Sequence, residues 1–180
     1  MRLLRTTGGI EYPLLDGDRV GVGDVLSMQI ELDTPAHVYV MNEDASGAVF
    51  QLFPLPLGEL ANPLPAGRRL RLPGRVAGRE QDWQVTSPGA RERFYVLISH
   101  QAVPDLHPAS TGFELAEAGR PLDRSALYAA ARVTRGVGGL SERVDAAAGA
   151  SFPVGEWLRD LAHQDPGLQL KRFELDNPAP

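Results

Sequence analysis

The chain has 180 residues, of which 43% are hydrophobic and 23% charged, and a formal net charge of −5. It is long and apolar enough to bury a core of its own, which excludes a disordered chain. There is no cysteine, so disulfides, thiolate metal sites and cysteine nucleophiles are excluded. The longest apolar run, Phe94 to Ile98, falls far short of a membrane span, and Met1-Arg2-Leu3-Leu4-Arg5 is too short a stretch for a signal peptide.

Charge is uneven along the chain. Residues 1–60 carry three arginines against nine acids, whereas residues 61–120 carry eight arginines against six acids. Lys171 is the only lysine. Fifteen prolines and nineteen glycines punctuate the sequence at short intervals, which suits short strands and turns better than a helical bundle.

The first clear element begins at Leu26. Leu26, Met28, Ile30 and Leu32 alternate with Ser27, Gln29 and Glu31, the period of a half-buried strand. Asp33-Thr34-Pro35 breaks it. His37 to Met41 is rich in β-branched and aromatic residues and predicts a second strand. Asn42 to Gly47 has turn chemistry, and Ala48 to Phe53 returns as the third strand, so the pair predicts an antiparallel hairpin. Pro54 to Pro65 holds four prolines and is read as a long apolar loop carrying Leu55, Leu57, Leu60 and Leu64. Arg69 to Leu72 and Trp83 to Val85 predict short strands. Arg93 to Ser99 is nearly continuously apolar and predicts a central strand buried on both faces.

After Val103 the pattern changes. Asp123 is placed to cap a helix running to about Arg135. Ser151-Phe152-Pro153 opens a second helix, with Val154, Trp157, Leu158 and Leu161 on one face and Asp165-Pro166-Gly167 ending it. Leu168 to Leu175 predicts a last strand. The expectation is a mostly β protein: an antiparallel β-sandwich with a C-terminal helical section and a final strand. A sandwich domain is expected over residues 1–105, and residues 106–180 are expected to be a helical extension packed on that domain. The expected core comprises Leu26, Met28, Ile30, Val38, Val40, Phe50, Leu52, Val96 and Ile98.

Six short segments occur in a recognisable order: Gly23-Asp24, Pro35 to Val40, Asp44 to Val49, Leu52-Phe53-Pro54, Leu64 to Gly67 with Leu72-Pro73, and Pro88-Gly89 with Glu92 and Val96 to Ser99. In that order they resemble a bacterial family known as domain-of-unknown-function family 4384, over roughly residues 20–103. Leu55 stands where the family usually has Asn, and Ala36-His37 where it usually has Gly-Tyr. The resemblance implies a small β-sandwich of the kind found beside other modules, such as kinases and caspase-like peptidases, in multidomain proteins, with no enzymatic activity attached.

No constellation of residues specifies chemistry. His100 and His107 flank Asp105, but the spacing is loose and the segment holds Pro104 and Pro108, so no metal site is expected. Ser99 and His100 are neighbours on a strand and point to opposite faces, and there is no Gly-x-Ser-x-Gly elbow. Gly21-Val22-Gly23 and Gly136 to Gly139 lack the Lys-Ser or Lys-Thr of a phosphate loop and are read as turns. Arg68, Arg69, Arg71, Arg75 and Arg79 form a basic run, but the net charge is acidic and Trp83 is the only aromatic nearby. Nucleic-acid binding is not expected.

The functional expectation is a non-enzymatic interaction or regulatory module without a cofactor. It binds a protein partner or a neighbouring domain through Leu55 and Leu57 of the loop and Arg69 and Arg71 of the adjacent strand. The alternatives are a carbohydrate-type envelope module using Trp83, Tyr39 or Trp157 as a stacking platform, and a hydrolase using Asp105 and His107.

Overall fold

The computed structural model describes residues 1–44, 49–55, 57–86, 90–103, 106 and 154–178. The helix expected near 123–135, the opening Ser151-Phe152-Pro153, and Asp105 and His107 lie outside the described residues.

Two antiparallel sheets face each other. The first holds β1 (Arg2–Thr7), β2 (Ile10–Leu14), β3 (Val25–Glu31) and β6 (Arg69–Leu72) in the order β2-β1-β3-β6, with β9 (Trp83–Gln84) also pairing β3. The second holds β4 (His37–Glu43), β5 (Val49–Phe53), β10 (Arg91–Ser99) and β11 (Leu168–Asp176) in the order β11-β10-β4-β5. A separate hairpin joins β7 (Gly74–Val76) to β8 (Arg79–Gln81). The mostly β, antiparallel fold expected from the pattern is therefore present, with one described helix, α1 (Val154–Gln164), and a final strand.

Period-two patterning accounts for the interior. Leu26, Met28 and Ile30 of β3 meet Val38 and Val40 of β4, Phe94 and Val96 of β10, and Leu72 of β6 in the main core. Ile98 and Leu52 pack against this core while partly exposed. Phe50 departs from expectation. It lies on the edge strand β5, where the two sheets part, and lines an open cleft.

The opposite faces of β4 and β10 are apolar too. Tyr39, Met41, Tyr95 and Leu97 form a second core with Val154, Trp157 and Leu158 of α1. Both faces of β10 are thus covered, as its unbroken apolar run requires. The approach of α1 is close: a Cβ at Gly155 would lie 2.6 Å from the Tyr95 hydroxyl, so glycine is what lets the first turn of the helix settle there. β11 pairs with β10 along its whole length, from Arg91↔Asp176 to Ser99↔Leu168.

β1 and β2 form a hairpin that the sequence reading does not anticipate. On its core-facing side Leu3 is followed by Arg5 and Thr7, so hydrophobic alternation is weak. The available signal is Gly8-Gly9. Both residues have positive φ (58° and 81°), and the register Thr7↔Ile10 makes them a two-residue hairpin turn of the type whose twist suits antiparallel strands.

Candidate functional site

The four-stranded sheet ends at β5, whose sequence is Val-Phe-Gln-Leu-Phe. Opposite it, the other sheet ends locally at the short strand β9. The Trp83 indole N–H donates to the Leu52 carbonyl at 3.2 Å and ties the two edges together. Around this tie the sheets part, leaving a cleft of about 300 Å³. Leu26, Trp83, Phe94, Phe50, Leu52 and Leu55 give it apolar walls.

One end of the cleft is acidic, for reasons of register. Asn42 pairs with Phe94 on one side and Phe50 on the other. Two residues further along the same face come Asp44 and Glu92, which also line the cleft. Glu92 is buried, and its two carboxylate oxygens accept from Asn42 Nδ2 and Asn177 Nδ2, each at 3.0 Å. Burial pushes the Glu92 carboxyl up from its ordinary pKa. The two asparagine hydrogen bonds oppose that rise, and the charge of Asp44 adds to it.

Asp82, also on the cleft wall, has a different environment. Arg71 donates to it at 2.5 Å and to Glu11 Oε1 at 2.9 Å. Arg71 therefore spans the outer face of the five-stranded sheet, from β6 to Glu11 on β2, and covers the strands between. Its guanidinium is held by the fold.

The other expected contact residues are spread out. Leu55 lines the cleft, and Leu57, beside it, is 77% exposed with φ of 59°. The rest of the loop is stitched to the sandwich. Asn62 bonds both backbone groups of Val38, Leu64 exchanges two backbone hydrogen bonds with Ala36 and is fully buried, and Leu60 packs against the main core. Arg69 points to solvent and lies 3.7 Å from Glu31. The structure thus places Leu55 and, through Asp82, Arg71 at the cleft, while Leu57 projects to solvent and Arg69 sits apart beside Glu31.

The candidate stacking rings are occupied. Tyr39 and Trp157 are buried in the second core, and the Tyr39 hydroxyl accepts from the Val103 N–H. Trp83 is 8% exposed and forms a wall of the cleft. Ser99 is buried, and its hydroxyl oxygen accepts from the Gln101 N–H, whereas His100 is exposed. Among the described residues no group of three or more His, Asp or Glu is placed to hold a metal ion, and no helix is long and apolar enough to cross a membrane. What sequence reasoning missed is the Asn42–Glu92–Asn177 cluster, because its members come from three distant places in the chain.

Residues 19–102 match the family model described as a domain of unknown function, DUF4384. No curated protein and no solved structure matches the chain. The DUF4384 segment contains the whole wall of the cleft, but not β1, β2, α1 or β11.

Proposed function

We propose that this chain is a non-enzymatic interaction module that binds an extended segment of a partner protein along β5. The observation that carries this reading is the character of that edge. Sheet edges expose unpaired N–H and C=O groups, and proteins commonly guard them with proline, charge, short strands or covering chain. β2 carries Pro13 and Glu11. β6 has four residues, two of them arginine, and is followed by Pro73. β11 carries Lys171, Arg172 and Glu174, and residues 17–20 bond along its last part. β5 carries no charged side chain; Pro54, a bulge at Leu52 and the Trp83 bond to the Leu52 carbonyl mark its far end, and Phe50 to Leu52 border the apolar cleft.

Such an edge suits strand addition, in which main-chain bonds supply affinity and pockets for alternate side chains supply selectivity. Leu57 supports the reading. An exposed leucine at positive φ carries a solvation cost and a backbone cost together, and strained residues cluster at binding sites.

The test is selection of binding peptides from a random display library, followed by amide hydrogen exchange on the full chain. Selected peptides are expected to slow exchange across Val49–Phe53. Leu55→Ser with Leu57→Ser is expected to weaken them by about tenfold while leaving the melting temperature nearly unchanged. Peptides that protect other strands and leave β5 exchanging freely would overturn the proposal.

A further inference from the structure

The cleft between β5 and β9 has a chemistry of its own, apart from the strand edge beside it. Trp83 and Phe94 are nearly buried at its base, with ring centroids 6.3 Å apart and planes tilted by 37°. Phe50, Leu52 and Leu55 are half-buried and turn apolar surface to its opening. Its volume, about 300 Å³, lies at the lower end of the range of small-molecule sites. An apolar cavity of about 150 Å³ holds a benzene ring, so this cleft has room for two fused rings.

The charged groups that line it are already engaged. Each Glu92 carboxylate oxygen accepts from an asparagine, Asp82 accepts from Arg71, and Asp44 has an interaction of its own. The Trp83 N–H is taken by the Leu52 carbonyl, which leaves the indole only its apolar surface to offer. Among the described residues no lysine or arginine lines the cleft. An anion would meet carboxylates with no cation to receive it, and a cation would find those carboxylates already partnered. Either would give up hydration without a free partner to replace it. An uncharged ring loses little hydration and gains the offset or edge-to-face contacts that Trp83, Phe94 and Phe50 provide.

We propose that the cleft binds a small, uncharged aromatic molecule of one or two fused rings. This does not rest on strand addition at β5, because the base of the cleft is built by Leu26 of β3, Trp83 of β9 and Phe94 of β10.

The experiment titrates the full, isotope-labelled chain with indole, with its anionic analogue indole-3-acetate and with its cationic analogue tryptamine, followed by nuclear magnetic resonance. The two tryptophan side-chain N–H resonances supply a probe in the cleft, Trp83, and a control in the second core, Trp157. Indole is expected to shift the Trp83 resonance saturably, to leave Trp157 unmoved, and to bind about tenfold more tightly than either charged analogue. Phe50→Ala, which removes a wall, should weaken indole about tenfold. Leu55→Trp, which fills the opening, should abolish the Trp83 shift even if Phe50→Ala is poorly folded.

Indole that leaves Trp83 unmoved, or that shifts Trp83 and Trp157 alike, overturns the site. A charged analogue that binds as tightly as indole overturns the uncharged class. Peptide protection of β5 tests strand addition separately, so either reading can fail while the other stands.

Discussion

Leu57 and Glu92 each hold a conformation or an environment that stability alone would not select. Leu57 closes a turn in which the Gly58 N–H bonds the Leu55 carbonyl at 3.2 Å, at a position where positive φ favours glycine or asparagine. Leu57→Gly removes backbone strain and an exposed apolar side chain together. It is expected to raise stability by up to about 1 kcal/mol in chemical denaturation, while peptide binding falls. Glu92 is buried, and its carboxyl is raised above its ordinary pKa chiefly by that burial. A carboxyl raised in the folded state favours folding most when protonated. Its contribution is fully present below the unfolded value and is lost as pH rises through the folded value. The melting temperature of Glu92→Gln relative to the parent chain should therefore increase between pH 4 and pH 7. A difference that stayed flat or fell over that range would mean that the asparagine bonds to the ionised carboxylate outweigh its burial.

Among elements, α1 and β10 show how closely packing is specified. Tyr95 is buried beneath the helix, and its hydroxyl donates to Glu43 Oε2 at 2.9 Å. Burial, then this bond, pushes its pKa up to about 12, so the phenol stays protonated and donating throughout the physiological range. Arg93 pairs with the same Glu43 and with Glu174, each at 3.3 Å, which links β4, β10 and β11 on this face. With the ring held in place, a methyl at Gly155 has no room. Gly155→Ala should cost about 1–3 kcal/mol by overpacking, although alanine is the better helix former. In Tyr95→Phe, which lacks the oxygen 2.6 Å from that methyl, the cost should be smaller. Denaturant midpoints of the two single variants and the double variant give the coupling directly, and strict additivity would show that the contact is not the cause.

For the molecule as a whole, the folding unit is larger than the DUF4384 segment. β11 and α1 come from the far end of the chain, yet β11 completes the four-stranded sheet and α1 covers its outer face. Val154, Leu158 and Leu175 are essentially fully buried, and Trp157 nearly so. At about 2 kcal/mol for each such side chain their burial approaches the net stability of a typical domain, about 5–15 kcal/mol. A chain ending before residue 154 is therefore expected to lose its cooperative thermal transition by circular dichroism. A retained transition at a similar temperature would show that the sandwich stands without its C-terminal strand.

Much of this arrangement was legible in the sequence because it rests on local periodicity. Leu26-Met28-Ile30 alternates, Phe94 to Ile98 is continuously apolar, Val154-Trp157-Leu158-Leu161 keeps a helical spacing, and prolines and glycines mark the boundaries. Each of these patterns follows from backbone geometry within a few residues. The β1–β2 hairpin was hidden because Arg5 interrupts the apolar side of β1, leaving only Gly8-Gly9 as a sign. Other features arise between distant segments, where no local rule operates. Strand order left β5 as an uncharged edge, and sheet pairing set Asp44 and Glu92 side by side at the end of an apolar cleft. The same order drew Arg71 to Glu11 and Asp82, although its strand alternation showed only an outward-facing cation. Local chemistry determined which residues form strands and which faces they bury; tertiary pairing decided which edge is uncharged and what lines the cleft beside it, because both depend on neighbours that lie far away in the chain.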